Sequence, residues 1–128
     1  MSVWLRTMKG LFVASSTRRQ LENWLQTLNV GGDVLDIGGS EKKLGGRVKT
    51  YNPKSYTIMD IDDSADIKFD MNVPGKFEEV FTFRKEKFDQ IFCLEVFEYL
   101  VNPLNAVMNI NDWLKDDGVA YISFNFVY

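Results

Sequence analysis

Residues 34–40 read VLDIGGS, and this stretch decides the fold that the sequence predicts. A short apolar run closed by two glycines is typical of a buried strand followed by a tight turn. Because Gly38 and Gly39 lack side chains, their backbone can approach a ligand closely, and the N–H groups that follow can bind its anionic part. We therefore expect a strand over residues 33–37 that ends at a ligand-binding turn.

Predicted helices and strands alternate on both sides of this stretch. Upstream, apolar residues at helical spacing predict a helix over 17–29. The glycines at positions 31 and 32 are expected to end this helix. Downstream, strands are predicted at 56–61, 67–69, 88–94 and 119–128. Helices are predicted from Pro74 and from Pro103, the latter capped by Asn102 and ended at 116–118. This alternation favours an open α/β sheet.

The composition limits the class of protein. The 128 residues are enough for one domain with a core, and 45% apolar with 26% charged residues excludes global disorder. The net charge of −3 gives no electrostatic reason to expect a nucleic acid or a membrane surface as partner. Histidine is absent and Cys93 is the only cysteine, which excludes His-dependent catalysis and a cysteine-only metal site; we expect no metal. No apolar run reaches the ~20 residues of a membrane span, so we expect a cytoplasmic protein.

Acidic residues follow four consecutive predicted strands, where open α/β sheets bind their ligands. They are Asp36 after the first strand, Asp60 and Asp62 after the second, Asp70 after the third, and Glu95 and Glu98 after the fourth. An acid after the second strand can accept hydrogen bonds from ribose hydroxyls, and one after the third from the adenine amine. The set suits a nucleoside with an amino-acid tail.

Each of these residues also has an ordinary structural explanation. Asp36 and Asp70 are suited to capping turns, Asp60 and Asp62 to a solvated loop, and Glu95 and Glu98 to the start of a helix. Trp24 and Trp113 are expected in the core, and Cys93 is expected to be an inert buried thiol.

Five segments carry a resemblance to a known family. VLDIGGS, YTIMDID, ADIKFDMN, FDQIFCLEVFEYL and WLKDDGVAYISF resemble, in this order, the successive motifs of class I S-adenosylmethionine-dependent methyltransferases, and most closely the type 11 group. The resemblance covers about residues 30–128. It implies a Rossmann-like three-layer sandwich with a mainly parallel sheet of strand order 3-2-1-4-5. It also implies a single domain over 1–128, in which an N-terminal segment and helix (1–29) precede a cofactor-binding core (30–128).

The resemblance implies roles for individual residues around S-adenosylmethionine. Asp60 would hold the ribose hydroxyls and Ile61 would pack on the adenine, while Asp70 would accept from its amine and the Met71 backbone would face the ring. The methionine portion would lie along Asp36, Gly38, Gly39 and Ser40. Leu94 and Glu95 would border the sulfonium, and Glu95, Glu98 and Tyr99 are the candidate bases.

Three departures from the family pattern stand out. Ser40 replaces the usual third glycine, and Tyr99 stands where close relatives often have histidine. The sequence stops after the fifth strand, so we expect a sheet that lacks the family's C-terminal antiparallel hairpin. The exposed edge of strand 119–128 then predicts self-association, or a chain cut from a longer protein.

The expected function is direct methyl transfer to an oxygen, nitrogen or carbon nucleophile of a small molecule or glycan. One alternative is a non-catalytic S-adenosylmethionine-binding domain that self-associates or works with a partner. A nicotinamide-dependent oxidoreductase is disfavoured, because from Gly38 the chain reads GGSEKK and lacks the later glycines of G-x-G-x-x-G.

Overall fold

The computed structural model describes residues 5–6, 12–13, 16–72 and 87–124. The helix predicted from Pro74 and the last residues of the predicted fifth strand lie outside these ranges. A short antiparallel pair, β1 (Leu5–Arg6) and β2 (Phe12–Val13), precedes the first helix. The elements that follow are α1 (Ser16–Leu25), β3 (Asn29–Ile37), β4 (Thr50–Asp60), β5 (Ile67–Lys68), β6 (Phe88–Cys93), a 3-10 helix (Phe97–Tyr99), α2 (Pro103–Trp113) and β7 (Leu114–Ile122).

The strands β3 to β7 form one parallel sheet in the order β5-β4-β3-β6-β7. Counted from the first sheet strand this is 3-2-1-4-5, so the predicted α/β fold is confirmed. The central strand β3 pairs on one side with β4 and on the other with β6, as Asp36 does with Ile58 and Phe92. The direction in which strands are added reverses at β3, and this reversal puts the binding crevice beside the end of that strand.

Two apolar clusters cover the two faces of the sheet, because side chains along a strand alternate between faces. One face carries Leu35 and Ile91 against Ile110 and Trp113 of α2. The other carries Val34 and Phe92 against Leu25 of α1, together with Leu44. The helices therefore lie on opposite faces, which makes the three layers.

Of the two tryptophans predicted in the core, Trp24 and Trp113, only Trp113 lies there. Trp113 is 1% exposed in the core, as predicted. Trp24 is 40% exposed, and its ring packs edge-on against Tyr121 with a centroid separation of 5.6 Å. The prediction of a core position for Trp24 was wrong because the indole covers the outer part of the sheet face.

The glycines at 31 and 32 lie inside a strand instead of ending a helix. The first helix ends at Leu25, and β3 begins at Asn29. Gly31 pairs with Asn52 and Gly32 with Pro53, and the register shifts between Gly32 and Asp33. Long-range pairing with β4 thus overrides the local tendency of the two glycines to form a turn.

The junction of α2 and β7 also differs from the prediction. The helix ends at Trp113, and the strand begins at once at Leu114, so residues 116–118 belong to β7. Across a register shift, Phe88 pairs with Leu114 and Gln90 with Val119. The polar residues 115–118 lie between these two pairs, at the irregularity in the strand pairing. Their sequence, KDDG, is typical of a helix end, which is why the prediction placed the end of the helix there. Within the described residues, no helix is long and apolar enough to cross a membrane.

Candidate functional site

A cavity of about 570 Å³ opens at the carboxyl ends of the parallel strands. Its volume lies within the range of small-molecule sites, roughly 300–1,000 Å³. Seven of the predicted site residues line it: Gly38, Asp60, Ile61, Asp70, Met71, Glu95 and Tyr99. The ends of β3, β4, β5 and β6 therefore contribute to one crevice.

The turn after β3 depends on glycine at position 38. Gly38 has a φ of 79°, in the left-handed region, and its N–H donates to the Met59 carbonyl at 2.8 Å. A Cβ added to Gly38 would lie 2.6 Å from Cγ2 of Val96 across the crevice. Both the backbone conformation and the close approach of Val96 therefore require glycine.

Asp36 lies behind this turn and does not line the cavity. Its side chain is buried, with the residue 3% exposed, and its carboxylate accepts a hydrogen bond from the Tyr56 hydroxyl. Burial raises the pKa of Asp36 from 3.8 to about 6, although the Tyr56 hydrogen bond acts in the opposite direction. Gly39 is buried against the same carboxylate, where an added Cβ would collide with it. The structure thus places Asp36 and Gly39 beneath the turn.

Ser40 connects the turn to Asp60 at the end of β4. The Ser40 N–H donates to Oδ2 of Asp60 at 3.2 Å, and Oδ1 of Asp60 accepts from the Ile61 N–H at 2.7 Å. Among the described residues Glu95 is the only non-glycine with positive φ, so Ser40 occupies the position of the third glycine without backbone strain. The Ser40 hydroxyl is buried and has no hydrogen-bond partner among the described residues.

One wall of the cavity is held by Asn72. Asp70 accepts a hydrogen bond from the Asn72 N–H at 2.8 Å, and the Asn72 side chain accepts from the Val101 N–H at 2.9 Å. The segment that carries Tyr99 is therefore tied to the segment after β5. Tyr99 itself is 75% exposed at the rim.

Glu95 adopts a strained conformation at the end of β6. Its φ is 58°, and its N–H donates to the Ser123 hydroxyl at 2.7 Å. The Glu95 carboxylate accepts a hydrogen bond from Arg18 of α1 at 2.9 Å. Non-glycine residues in this conformation cluster at functional sites, where the surroundings hold them in place.

Two predicted site residues lie elsewhere. Leu94 packs against the apolar cluster on the α1 face, and Glu98 is exposed on the 3-10 helix; neither lines the cavity. Cys93 is buried, and this burial raises the pKa of its thiol to about 12, as expected for an inert side chain.

Several residues of the site were not predicted from the sequence. Glu41 and Asn72 line the cavity, while Arg18 and Tyr56 hold residues beside or beneath it. The position of Asn72 two residues after a strand-end acid is a local signal that sequence reasoning could use. Arg18 and Tyr56 act across 77 and 20 residues of sequence, and no local pattern marks them. In the described part of the chain, no group of three or more His, Cys, Asp or Glu residues is arranged to hold a metal ion.

Comparison with known proteins agrees with this arrangement. A family model described as "Methyltransferase domain" matches residues 10–125. Two curated relatives are similar over 38 residues: ubiquinone biosynthesis O-methyltransferase of Glaesserella parasuis serovar 5 (strain SH0165), at 45% identity, and (S)-coclaurine N-methyltransferase of Papaver somniferum, at 37% identity. These matches cover 30% of this chain but only 16% and 11% of the two relatives. No solved structure matches the chain significantly.

Proposed function

Because this chain belongs to the methyltransferase domain family, we propose that it binds S-adenosylmethionine and transfers the methyl group to a small molecule or glycan. The observation that carries the proposal is the convergence of Gly38, Asp60 and Asp70 on one cavity. These residues come from the ends of three neighbouring strands, and adjacent carboxyl ends are where open α/β sheets bind nucleosides.

The chemistry of the crevice fits an adenosyl group. Asp60 offers carboxylate oxygens at the rim, and Gly38 keeps the backbone open where any side chain would collide with Val96. The buried Ser40 hydroxyl lacks a partner among the described residues, which leaves a donor and an acceptor free. The cavity walls include the apolar side chains of Ile61 and Met71, which suit a flat base.

We assign the cofactor contacts accordingly. Asp60 would accept from the ribose hydroxyls, Asp70 would accept from the adenine amine, and Ile61 would pack on the ring. The turn at Gly38 would face the methionine portion of the cofactor. Asp36, which lies beneath the turn, would support the turn without touching the cofactor. When bound, S-adenosylmethionine would supply an electrophilic sulfonium methyl group, which a nucleophile takes directly, with S-adenosylhomocysteine as the leaving group.

The chain's own contribution is alignment of the acceptor and exclusion of water. An acceptor that must lose a proton needs a base, and Glu95 and Tyr99 are better situated than Glu98 because both line the cavity. Arg18 holds the Glu95 carboxylate at the wall, which favours a fixed orientation for this candidate base. The relatives' names, an O- and an N-methyltransferase, support an oxygen or nitrogen nucleophile.

Calorimetric titration with S-adenosylmethionine and S-adenosylhomocysteine tests the proposal. We expect both to bind, and Asp60→Ala to weaken binding by about 10–100-fold, because hydrogen bonds to a charged group contribute ~1.5–3 kcal/mol. Asp63→Ala is the matched control: it removes the same charge from the same loop, but Asp63 is exposed and pairs only with Lys68 among the described residues. Equal affinities for the two variants would contradict the ribose assignment.

Turnover separates the catalytic proposal from the non-catalytic alternative. An enzyme produces S-adenosylhomocysteine when offered hydroxyl- or amine-bearing acceptors, and the rate falls with Asp60→Ala. Tight binding without turnover on any acceptor class would favour a cofactor-binding domain that works with a partner.

A further inference from the structure

The Tyr56 hydroxyl links the end of β3 to the end of the segment that follows this strand. This segment, residues 38–44, is called the glycine loop below. Two residues before the loop, Tyr56 donates to the carboxylate of Asp36 in β3, and at the end of the loop the Leu44 N–H donates to the Tyr56 oxygen at 3.2 Å. A single phenol oxygen on β4 therefore closes the loop.

The glycine loop supplies and orients part of the cofactor cavity. Gly38 and Glu41 line the cavity directly. Within the loop, the Ser40 N–H donates to Asp60, whose carboxylate stands at the same rim. Displacement of the loop would therefore move the Gly38 turn and release one of the donors that orient Asp60.

The closure point is sheltered from solvent. Asp36 is 3% exposed, and Leu44 is fully buried among the residues of the α1 face. Gly39 lies so close to the Asp36 carboxylate that no side chain fits between them. Water therefore has little access to replace the phenol, and loss of the hydroxyl leaves buried groups unpaired.

We propose that Tyr56 is a positioning residue for the adenosyl cofactor: its hydroxyl holds the glycine loop closed through Asp36 and Leu44, so that Gly38 and Asp60 are arranged before the cofactor arrives. The inference rests on the proposed function. Tyr56 does not line the cavity, so its effect on the cofactor is exerted through the loop.

This arrangement gives cofactor binding a pH dependence. Burial raises the pKa of Asp36 to about 6, and the Tyr56 hydrogen bond lowers it. The other ionisable groups that interact with Asp36 are Tyr51 and Asp60 on β4, Cys93 on β6, and Arg47 on the loop before β4. When Asp36 is protonated, the Tyr56 hydroxyl can donate only to a neutral carboxyl oxygen, which is a weaker acceptor than a carboxylate, and the Asp36 O–H competes with the Leu44 N–H for the phenol oxygen. Affinity is therefore expected to fall as the pH drops below about 6.

The test compares Tyr56→Phe with Tyr51→Phe by calorimetry with S-adenosylhomocysteine from pH about 5 to about 8. Tyr51 lies on the same strand, and the centroid of its ring is 5.9 Å from that of Tyr56. The Tyr51 residue is 42% exposed. We expect Tyr56→Phe to weaken binding by about 5–30-fold at neutral pH, and to move the pH midpoint upward because Asp36 loses a hydrogen bond. Tyr51→Phe should leave the affinity and the midpoint unchanged.

Two further measurements separate the loop from the overall fold. In Asp36→Asn, the fall in affinity below pH about 6 should disappear, because the titrating group is gone. Without any ligand, hydrogen exchange at the Leu44 amide should accelerate in Tyr56→Phe and not in Tyr51→Phe.

The outcomes are distinct. If the wild-type protein binds but both tyrosine variants share its affinity and pH midpoint, the positioning role of Tyr56 is overturned and the proposed function stands. If the wild-type protein binds neither adenosyl compound at any pH, the proposed function is overturned and this inference with it.

Discussion

The carboxylate of Asp36 opposes folding at neutral pH. Its pKa in the folded protein is about 6 against an ordinary value of 3.8, because burial penalises the ionised form. A raised pKa means that the folded state binds the proton more tightly than the unfolded state does. The stabilising effect of protonation is therefore complete below pH about 3.8 and is lost as the pH rises through about 6.

Asp36→Asn is accordingly expected to stabilise the protein without cofactor. The amide keeps an oxygen acceptor for Tyr56 but carries no charge, so the free energy of unfolding at pH about 8 should rise by about 1–3 kcal/mol. The gain should shrink below pH about 4, where the wild-type carboxyl is protonated as well. Urea unfolding at both pH values measures this, with the exposed Asp63→Asn as control; a variant less stable than wild type at the higher pH would refute it.

The candidate site residues whose shared location follows from the sequence pattern are those at strand ends. Gly38, Asp60 and Asp70 follow three strands, and parallel alignment brings them together whatever the side-chain details. Asp36 and Tyr56 are different. The Asp36 carboxylate turns away from the cavity and contacts the Tyr56 phenol, and this orientation depends on three-dimensional packing that the sequence pattern does not show. The left-handed conformation of Glu95 also has no sequence signal, since its observed partners, Ser123 and Arg18, are distant in sequence.

At the scale of elements, β3 and β4 are longer than their apolar cores. The sequence predicted 33–37 and 56–61, whereas the strands run over Asn29–Ile37 and Thr50–Asp60. Their first halves are polar or glycine-rich, so no apolar periodicity marks them. Pro53 is tolerated inside β4 because it pairs with Gly32, next to the register shift where the ladder is interrupted.

The start of α2 agrees with its prediction, and its cap can be tested. The Asn102 side chain accepts from the Asn105 N–H at 3.2 Å, and Pro103 occupies the first helical position. Asn102→Ala should lower the free energy of unfolding by about 1 kcal/mol, because a helical N–H loses its acceptor. Asn111→Ala, at an exposed position inside α2, is the control and should change stability by less than ~0.5 kcal/mol. Equal thermal shifts for the two variants would contradict the capping role.

At the scale of the whole molecule, an ionic cluster links three strands near their amino ends. Lys115 contacts Asp33 at 3.1 Å and Asp89 at 3.0 Å, and the Asp33 N–H donates to Asp89. The pKa of Asp33 is lowered chiefly by the Ser55 hydroxyl and then by Lys115, and that of Asp89 chiefly by the Asp33 N–H and then by Lys115. Lowered carboxyl pKa values stabilise the folded state above the ordinary pKa of 3.8, and this effect is lost as the pH falls further.

Lys115→Met should therefore lower the melting temperature at neutral pH and have less effect in acid. The two carboxylates lose their shared cation, and their mutual repulsion then opposes the pairing of β3 with β6. Because the lysine is solvated, the expected shift is small, about 1–4 °C. Lys68→Met, which removes the exposed pair with Asp63, is the control and should leave the melting temperature nearly unchanged. A shift that is as large in acid as at neutral pH would contradict an electrostatic origin.

The outer edge of the sheet, formed by β7, is a candidate surface for association between copies of the chain. The strand β7 ends the sheet, and among the described residues no strand pairs with its outer side. An unpaired edge presents N–H and C=O groups that a second strand can satisfy, so we propose that two copies of the chain associate along β7. Val119 on this strand is 47% exposed, which adds apolar surface to the edge.

Sedimentation and light scattering across protein concentration test the pairing of β7. The wild-type protein should shift from monomer to dimer as concentration rises, and Val119→Lys should weaken the dimer by at least about 10-fold, because a lysine on an edge strand resists pairing. Val101→Lys is the matched control: Val101 is 90% exposed but lies before α2, so the dimer should persist. A clean monomer at the highest concentration that the wild-type protein tolerates would refute association through this edge. Because the cavity opens at the strand ends and not along the β7 edge, Val119→Lys should leave cofactor affinity unchanged, which separates assembly from binding.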